Sequence, residues 1–219
     1  PDDTSFKSED VRQIFNNYGG SVGFHNIGDN PLNMDFGLKV GVDGIRDINK
    51  NKEIHPFVTG WGEKKLENKS IAGSEVSYEY FSYSGVTEHD NSLIGVKPYY
   101  KMITDQWSLN AGIETKVDKA SNAYVLPDAV FSYDLIGDKF VFVAGWEGHL
   151  QVNSFANIVE ENPFVKDTLV FKNTSINEIH AGLRGATYGN FSFMLKGYQK
   201  LAKDMPFYVT DSVDTKRFD

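Results

Sequence analysis

Five histidines, His25, His55, His89, His149 and His180, are the side chains best suited to move a proton or hold a metal near neutral pH. None sits in an HExxH pattern or any other metal-ligand spacing. His149 and His180 fall in neighbouring stretches of alternating polarity, beside Glu147 and Glu178. Such a group could relay a proton or ligate a metal. The plainer reading is a set of charged residues lining a wet surface. "DINKNKE", Asp47 to Glu53, sets oxygen donors at alternate positions like the opening of an EF-hand loop. It lacks the glycine and the final glutamate such a loop needs, so it reads as a solvated turn, with or without help from "TEHDN" at 87–91.

Nucleophile motifs are missing: there is no GxSxG and no SxxK in a fitting context. Ser154 and His180 could be forced into a hydrolase pair, and Glu160 with Glu161 is most simply a solvated acidic pair. The chain has no cysteine, which excludes disulfide frameworks, thiolate zinc sites and cysteine nucleophiles. Nothing implies a cofactor, and no enzyme class is indicated. A net charge of −8 and the lack of a basic run interleaved with aromatics argue against nucleic acid as a partner.

The elements that carry these residues follow from hydropathy. At 40% hydrophobic the chain is too apolar for disorder, yet it holds no run of about 18 apolar residues, so no transmembrane helix is proposed. The pattern is period two almost throughout. It predicts strands over 18–27, 34–45, 54–62, 74–84, 92–103, 107–117, 128–136, 139–152, 175–187 and 190–202. A polar lead-in over 1–17 precedes an all-β domain over 18–219, and helix is minor. "WSLNAGIETKVD" (107–118) shows the alternation at its cleanest: Leu109, Ala111, Ile113 and Val117 on one side, Ser108, Asn110, Glu114 and Lys116 on the other.

The connections suggest which side is wet. Tight turns are predicted after the fifth, seventh and ninth strands, and long loops after the sixth ("DKASNAYVLP") and eighth (near 153–174). Short turns at one end and long loops at the other is the layout of an up-and-down transmembrane β-barrel, whose strands need about 9–11 residues. The apolar sides would then meet lipid, and the polar sides would line a lumen with Asp35, Lys39, Lys97, Lys101, Glu114, Lys116, Glu147, His149, Glu178, His180, Arg184 and Lys196. Glycines crowd that polar side, where curvature favours small residues. Trp61, Tyr80, Tyr99, Trp107, Phe131, Tyr133 and Tyr198 are candidates for interfacial girdles.

The segments "SLIGVKPYYK", "ENPFV" with the following "KNT", "HAGLRG" and "DMPFYVTD" resemble those of Gram-negative outer-membrane β-barrels, in particular the porin-like or TonB-dependent-receptor-like barrels of Bacteroidota. The resemblance spans roughly the second half of the chain and is to an architecture, with no catalytic signature in it. It implies an outer-membrane location, lipid as the surrounding partner, and long loops outside the cell available to other outer-membrane proteins. "DTL" (167–169) and "DSV" (211–213) match the short O-glycosylation pattern of that bacterial group, which marks Thr168 and Ser212. The expectation is a channel or receptor for small solutes, or a scaffold subunit, either as a ten-stranded barrel or as part of a larger one. The competing reading is a soluble β-sandwich that binds carbohydrate or lipid.

Overall fold

The computed structural model describes residues 12–28, 30–67, 69–137, 139–165, 172–186 and 191–208. Its period-two segments form ten strands: β1 (Phe15–His25), β2 (Met34–Asp47), β3 (Lys52–Lys65), β4 (Ile71–Ser84), β5 (Glu88–Ile103), β6 (Trp107–Asp118), β7 (Ala123–Asp134), β8 (Phe140–Gln151), β9 (Thr174–Ala186) and β10 (Ser192–Lys203). One helix, α1 (Phe155–Glu161), lies between β8 and β9. The strands form a single antiparallel sheet in chain order, and no ladder joins β1 to β10 among the described residues. Each ladder keeps one register along its length, so the alternation of faces carries unbroken from β1 to β10.

Every predicted strand is present, but the ends differ. β1 starts at Phe15, inside the stretch assigned to the lead-in. "GEKKLENKSIAG" shrinks to a turn at 66–70, because Glu63, Lys64 and Lys65 pair with Gly73, Ala72 and Ile71. "DKASNAYVLP" shrinks to 119–122, because Ala123–Pro127 pairs with Ile113–Val117. Backbone pairing is indifferent to side-chain polarity, so ladders run on through residues that read as loop. The predicted alternation of short and long connections is therefore corrected: turns at 48–51, 85–87 and 119–122 are as short as those at 66–70 and 104–106. Among the described connections only 152–173 is long, and it contains α1.

Three prolines interrupt the sheet one ladder at a time. The β3–β4 ladder skips His55 and Pro56, and β5–β6 skips Lys97 and Pro98. The β7–β8 ladder stops at Asp128–Glu147, just short of Pro127. Proline has no N–H to give, so each keeps its place on one neighbour and loses it on the other.

Two of the turns at the end where α1 sits, the helix end, share one device. The Asp47 carboxylate accepts from the backbone N–H and side-chain amide of Asn51, both at 2.8 Å. Asp118 does the same for Asn122 at 2.8 and 2.9 Å. The residue before each asparagine, Lys50 and Ser121, has positive φ. The Asp47 carboxylate, first of the oxygen donors in the EF-hand-like stretch, is thus occupied in closing its own turn.

Helix α1 docks on the polar face of the sheet at the helix end. Phe155, Ile158 and Val159 pack with Ile45 of β2 and Tyr83 of β4, with Phe15 and Tyr208 at the margin. Ser154 is the N-cap, and its hydroxyl accepts from Asn157 N–H at 3.4 Å. The next two orphan donors are met from far away in sequence: the buried Glu53 carboxylate accepts from Phe155 N–H at 2.6 Å and Ala156 N–H at 3.4 Å. Nothing comparable covers the other face. There the side chains of Val22, Ile94 and Leu195 are 55%, 55% and 71% exposed, and no second layer lies over them among the described residues.

Replacing Glu53 by alanine leaves two helix donors without that acceptor and is expected to destabilise the fold by about 1–3 kcal/mol, while Glu53→Gln, which keeps an acceptor oxygen, loses less. Thermal or denaturant unfolding of the two variants checks this; equal losses would show that α1 does not depend on the acceptor.

Candidate functional site

The twelve residues predicted to line a lumen all lie on one face, the one that carries α1. Cross-strand partners share a face, and the unbroken registers settle each position. The face is dense with ion pairs. Lys65 meets Asp35 at 3.0 Å, Lys101 meets Glu63 at 3.7 Å, and Lys97 meets Asp128 at 2.6 Å. Lys116 reaches Glu79 at 3.2 Å and Glu114 at 3.4 Å. Lys196 and Lys200 converge on Glu178 at 2.8 and 3.4 Å. Lys39 lies over the Phe57 ring. His149 and Arg184 share the face, outside these pairs.

Several of these contacts skip a strand, and a glycine lies under two of the crossing side chains. Lys116 of β6 crosses β5 at Gly95 to reach Glu79 of β4; a Cβ at Gly95 would stand 2.5 Å from Ser77 Oγ and 3.4 Å from Lys116 Cγ. Tyr99 of β5 lies over Gly73 of β4 to donate to Glu63 of β3 at 2.9 Å. Lys97 of β5 reaches past β6 to Asp128 of β7, whose register partner on β6 is Gly112. Strands two apart in a flat sheet lie about 9.5 Å apart, so direct pairs across that distance need long side chains, a concave face and nothing in between. The glycines supply the last condition.

The histidines have partners of a different kind. His55 stacks on Phe81 with centroids 4.1 Å apart, and its Nε2 lies 3.3 Å from Glu79. His180 is buried against Gly145, with Nδ1 3.4 Å from Glu147 and 3.6 Å from Glu178. His149 pairs with Ile176 and His180 with Gly145, so four residues separate them along the strands, about 13 Å. They do not form a joint site, and no group of three or more His, Asp or Glu is placed to hold a metal among the described residues. Ser154 is engaged as helix cap, while Glu161 accepts from Gln151 at 2.7 Å and Tyr208 at 3.0 Å. Thr168 and Ser212 lie outside the described residues.

A cavity of about 890 Å³ opens between this face and α1, with Asp43, Glu53, His55, Glu79 and Glu160 in its wall. Glu53, Glu63, Asp128 and Lys200 belong to the charged face but escaped the sequence reading, although the same alternation that gave Glu114 would have found Glu63. Trp61, Tyr99 and Tyr198, expected in an interfacial girdle, are on the charged face instead: they pair with Gly37, Gly73 and His180. Aromatic content at a strand end does not by itself say which way a ring points; the register does.

Gly95→Val is expected to push Lys116 off Glu79 and cost about 1–3 kcal/mol. Gly60→Val, on the opposite face with nothing closer than 3.7 Å to its Cβ position, is the matched control and is expected to be near neutral. Equal melting shifts for the two would remove the crossing role. At the tail, partial burial and then the Glu161 carboxylate push the Tyr208 phenol up to about 12 from 10.0. Raised above its unfolded value, the phenol ties the tail to α1 fully below pH ~10, and the tie is lost as pH climbs through about 12. A tyrosinate absorbance titration of Tyr208→Phe should therefore lose one phenol's amplitude from the component near pH 12.

No protein-family model matches this chain, and no curated protein is significantly similar to it.

Proposed function

We propose that this chain is a transmembrane antiparallel β-barrel, or a large part of one, in a bacterial outer membrane, where it passes small solutes or serves as a scaffold subunit. The observation that carries the reading is the uncovered apolar face. It runs across all ten strands, from Val22 and Phe24 through Val40, Val76 and Ile94 to Leu195, and a water-soluble protein rarely leaves so large an apolar surface exposed. Strands of 11 to 16 residues exceed the length a tilted strand needs to cross a bilayer. On the same face Phe24, Phe36, Trp107, Tyr133, Phe140 and Phe193 gather at the end opposite α1, as an interfacial girdle would.

In lipid the backbone groups along β1 and β10 need partners, so these strands close a ring on each other or on further strands. The charged face then lines the interior. Its interleaved carboxylates and amines set the field a passing solute meets, and α1 narrows the helix end.

One observation favours the second reading, a water-soluble module that binds a lipid: the apolar face is hollow over β5 to β10 and not evenly convex. The absence of cysteine makes the choice testable one residue at a time. With Val76→Cys and Ser77→Cys reconstituted in liposomes, a water-soluble maleimide should label position 77 and spare position 76. Equal labelling at both, or a protein that stays in aqueous supernatant without detergent, would refute the membrane reading. Planar-bilayer recording then separates channel from scaffold, since a scaffold gives no conductance.

A further inference from the structure

We propose that the hollow in the apolar face is a binding site for one long-chain anionic amphiphile of the fatty-acid type. The hollow measures about 1040 Å³ and draws its lining from six consecutive strands. That is at the upper end of the ~300–1,000 Å³ typical of small-molecule sites. Its middle is apolar: Tyr100, Ile113, Pro127, Ala129, Trp146 and Ile179, all on the face opposite the ion pairs.

The hollow lies over the place where β7–β8 pairing stops. The ladder ends at Asp128–Glu147, and beyond it β7 presses onto β8 at a glycine: a Cβ on Gly148 would stand 2.8 Å from Pro127 Cδ and 2.9 Å from Leu126 Cα. Strands β5 and β6 line one side of it and β9 and β10 the other. Small residues, Ala111 and Ala129, leave the depth open.

Polarity is confined to one side. It comes from Ser175 and Asn177 of β9 and Gln199 and Lys203 of β10; Ser175 and Lys203 pair at the helix end, while Gln199 is level with Ile179. The lining contains a lysine and no carboxylate, although the chain as a whole carries −8. An apolar trough with one polar side and its single cation at the helix end matches a molecule with an apolar tail and an anionic head. This inference stands on the geometry of the hollow and holds whether the chain is membrane-embedded or water-soluble.

Trp146 in the wall gives a direct readout once Trp61→Phe and Trp107→Phe remove the other two tryptophans. Titration with doxyl-labelled stearic acid, in detergent or in buffer according to the protein's solubility, should quench Trp146 saturably, and unlabelled stearic acid should restore the emission. Ala129→Phe fills the floor and should abolish the saturable quench; Ala111→Phe, at its cross-strand partner, replaces it if that variant fails to fold. Lys203→Gln should weaken the apparent affinity roughly fivefold. Quenching that rises linearly and is unchanged by the filling variants would overturn the site. Equal competition by a cationic amphiphile of the same chain length would overturn the assignment of the head group. Neither result bears on labelling at positions 76 and 77, so failure here is distinguishable from failure of the membrane reading.

Discussion

The charged face depends on one steric condition: a long side chain can cross a neighbouring strand only where that strand has no Cβ. Lys116 lies across Gly95, Tyr99 across Gly73, and the rings of Trp61 and His180 settle on Gly37 and Gly145. A side chain at any of these glycines would occupy space already filled. The crossings allow carboxylates and amines from strands two apart to neutralise one another, so a surface holding many charges need not leave them solvated singly.

At the helix end this logic changes. The same alternating positions that carry charge along the middle of the strands become Ile45, Phe81, Tyr83, Leu93 and Leu126, all buried. Ile45 and Tyr83 of this apolar cap receive α1, and Glu53 joins the two regimes. It is a carboxylate on the charged face, yet it is buried and spends its acceptors on the first turn of a helix a hundred residues on. The helix is seven residues long and would not persist alone in water. Its stability comes from the apolar cap and from having its amino-terminal donors met.

Much of this was legible in the sequence because strand geometry is a local rule. Asp35, Lys97, Glu114, Glu147 and His180 could all be placed on one face without any knowledge of their neighbours, since period two does not depend on them. The connections were less legible. Glu63–Lys65 and Ala123–Pro127 read as loop from composition, yet they are ladder, because pairing is decided by the partner strand's backbone. The turns at Asp47–Asn51 and Asp118–Asn122 do carry a local signal, an aspartate with an asparagine four residues on, which polarity alone hides.

By itself the sequence determined what depends on nearest neighbours along the chain: ten strands, their two faces, the absence of thiol chemistry and of any helix able to span a membrane. Tertiary structure decided which charges meet, that Trp61 and Tyr99 point to the charged side, that Glu53 serves a distant helix, and that the apolar face is hollow over the β7–β8 line. Each of these turns on register or on a missing Cβ at a crossing. Both are relations between strands far apart in sequence, and no local pattern encodes them.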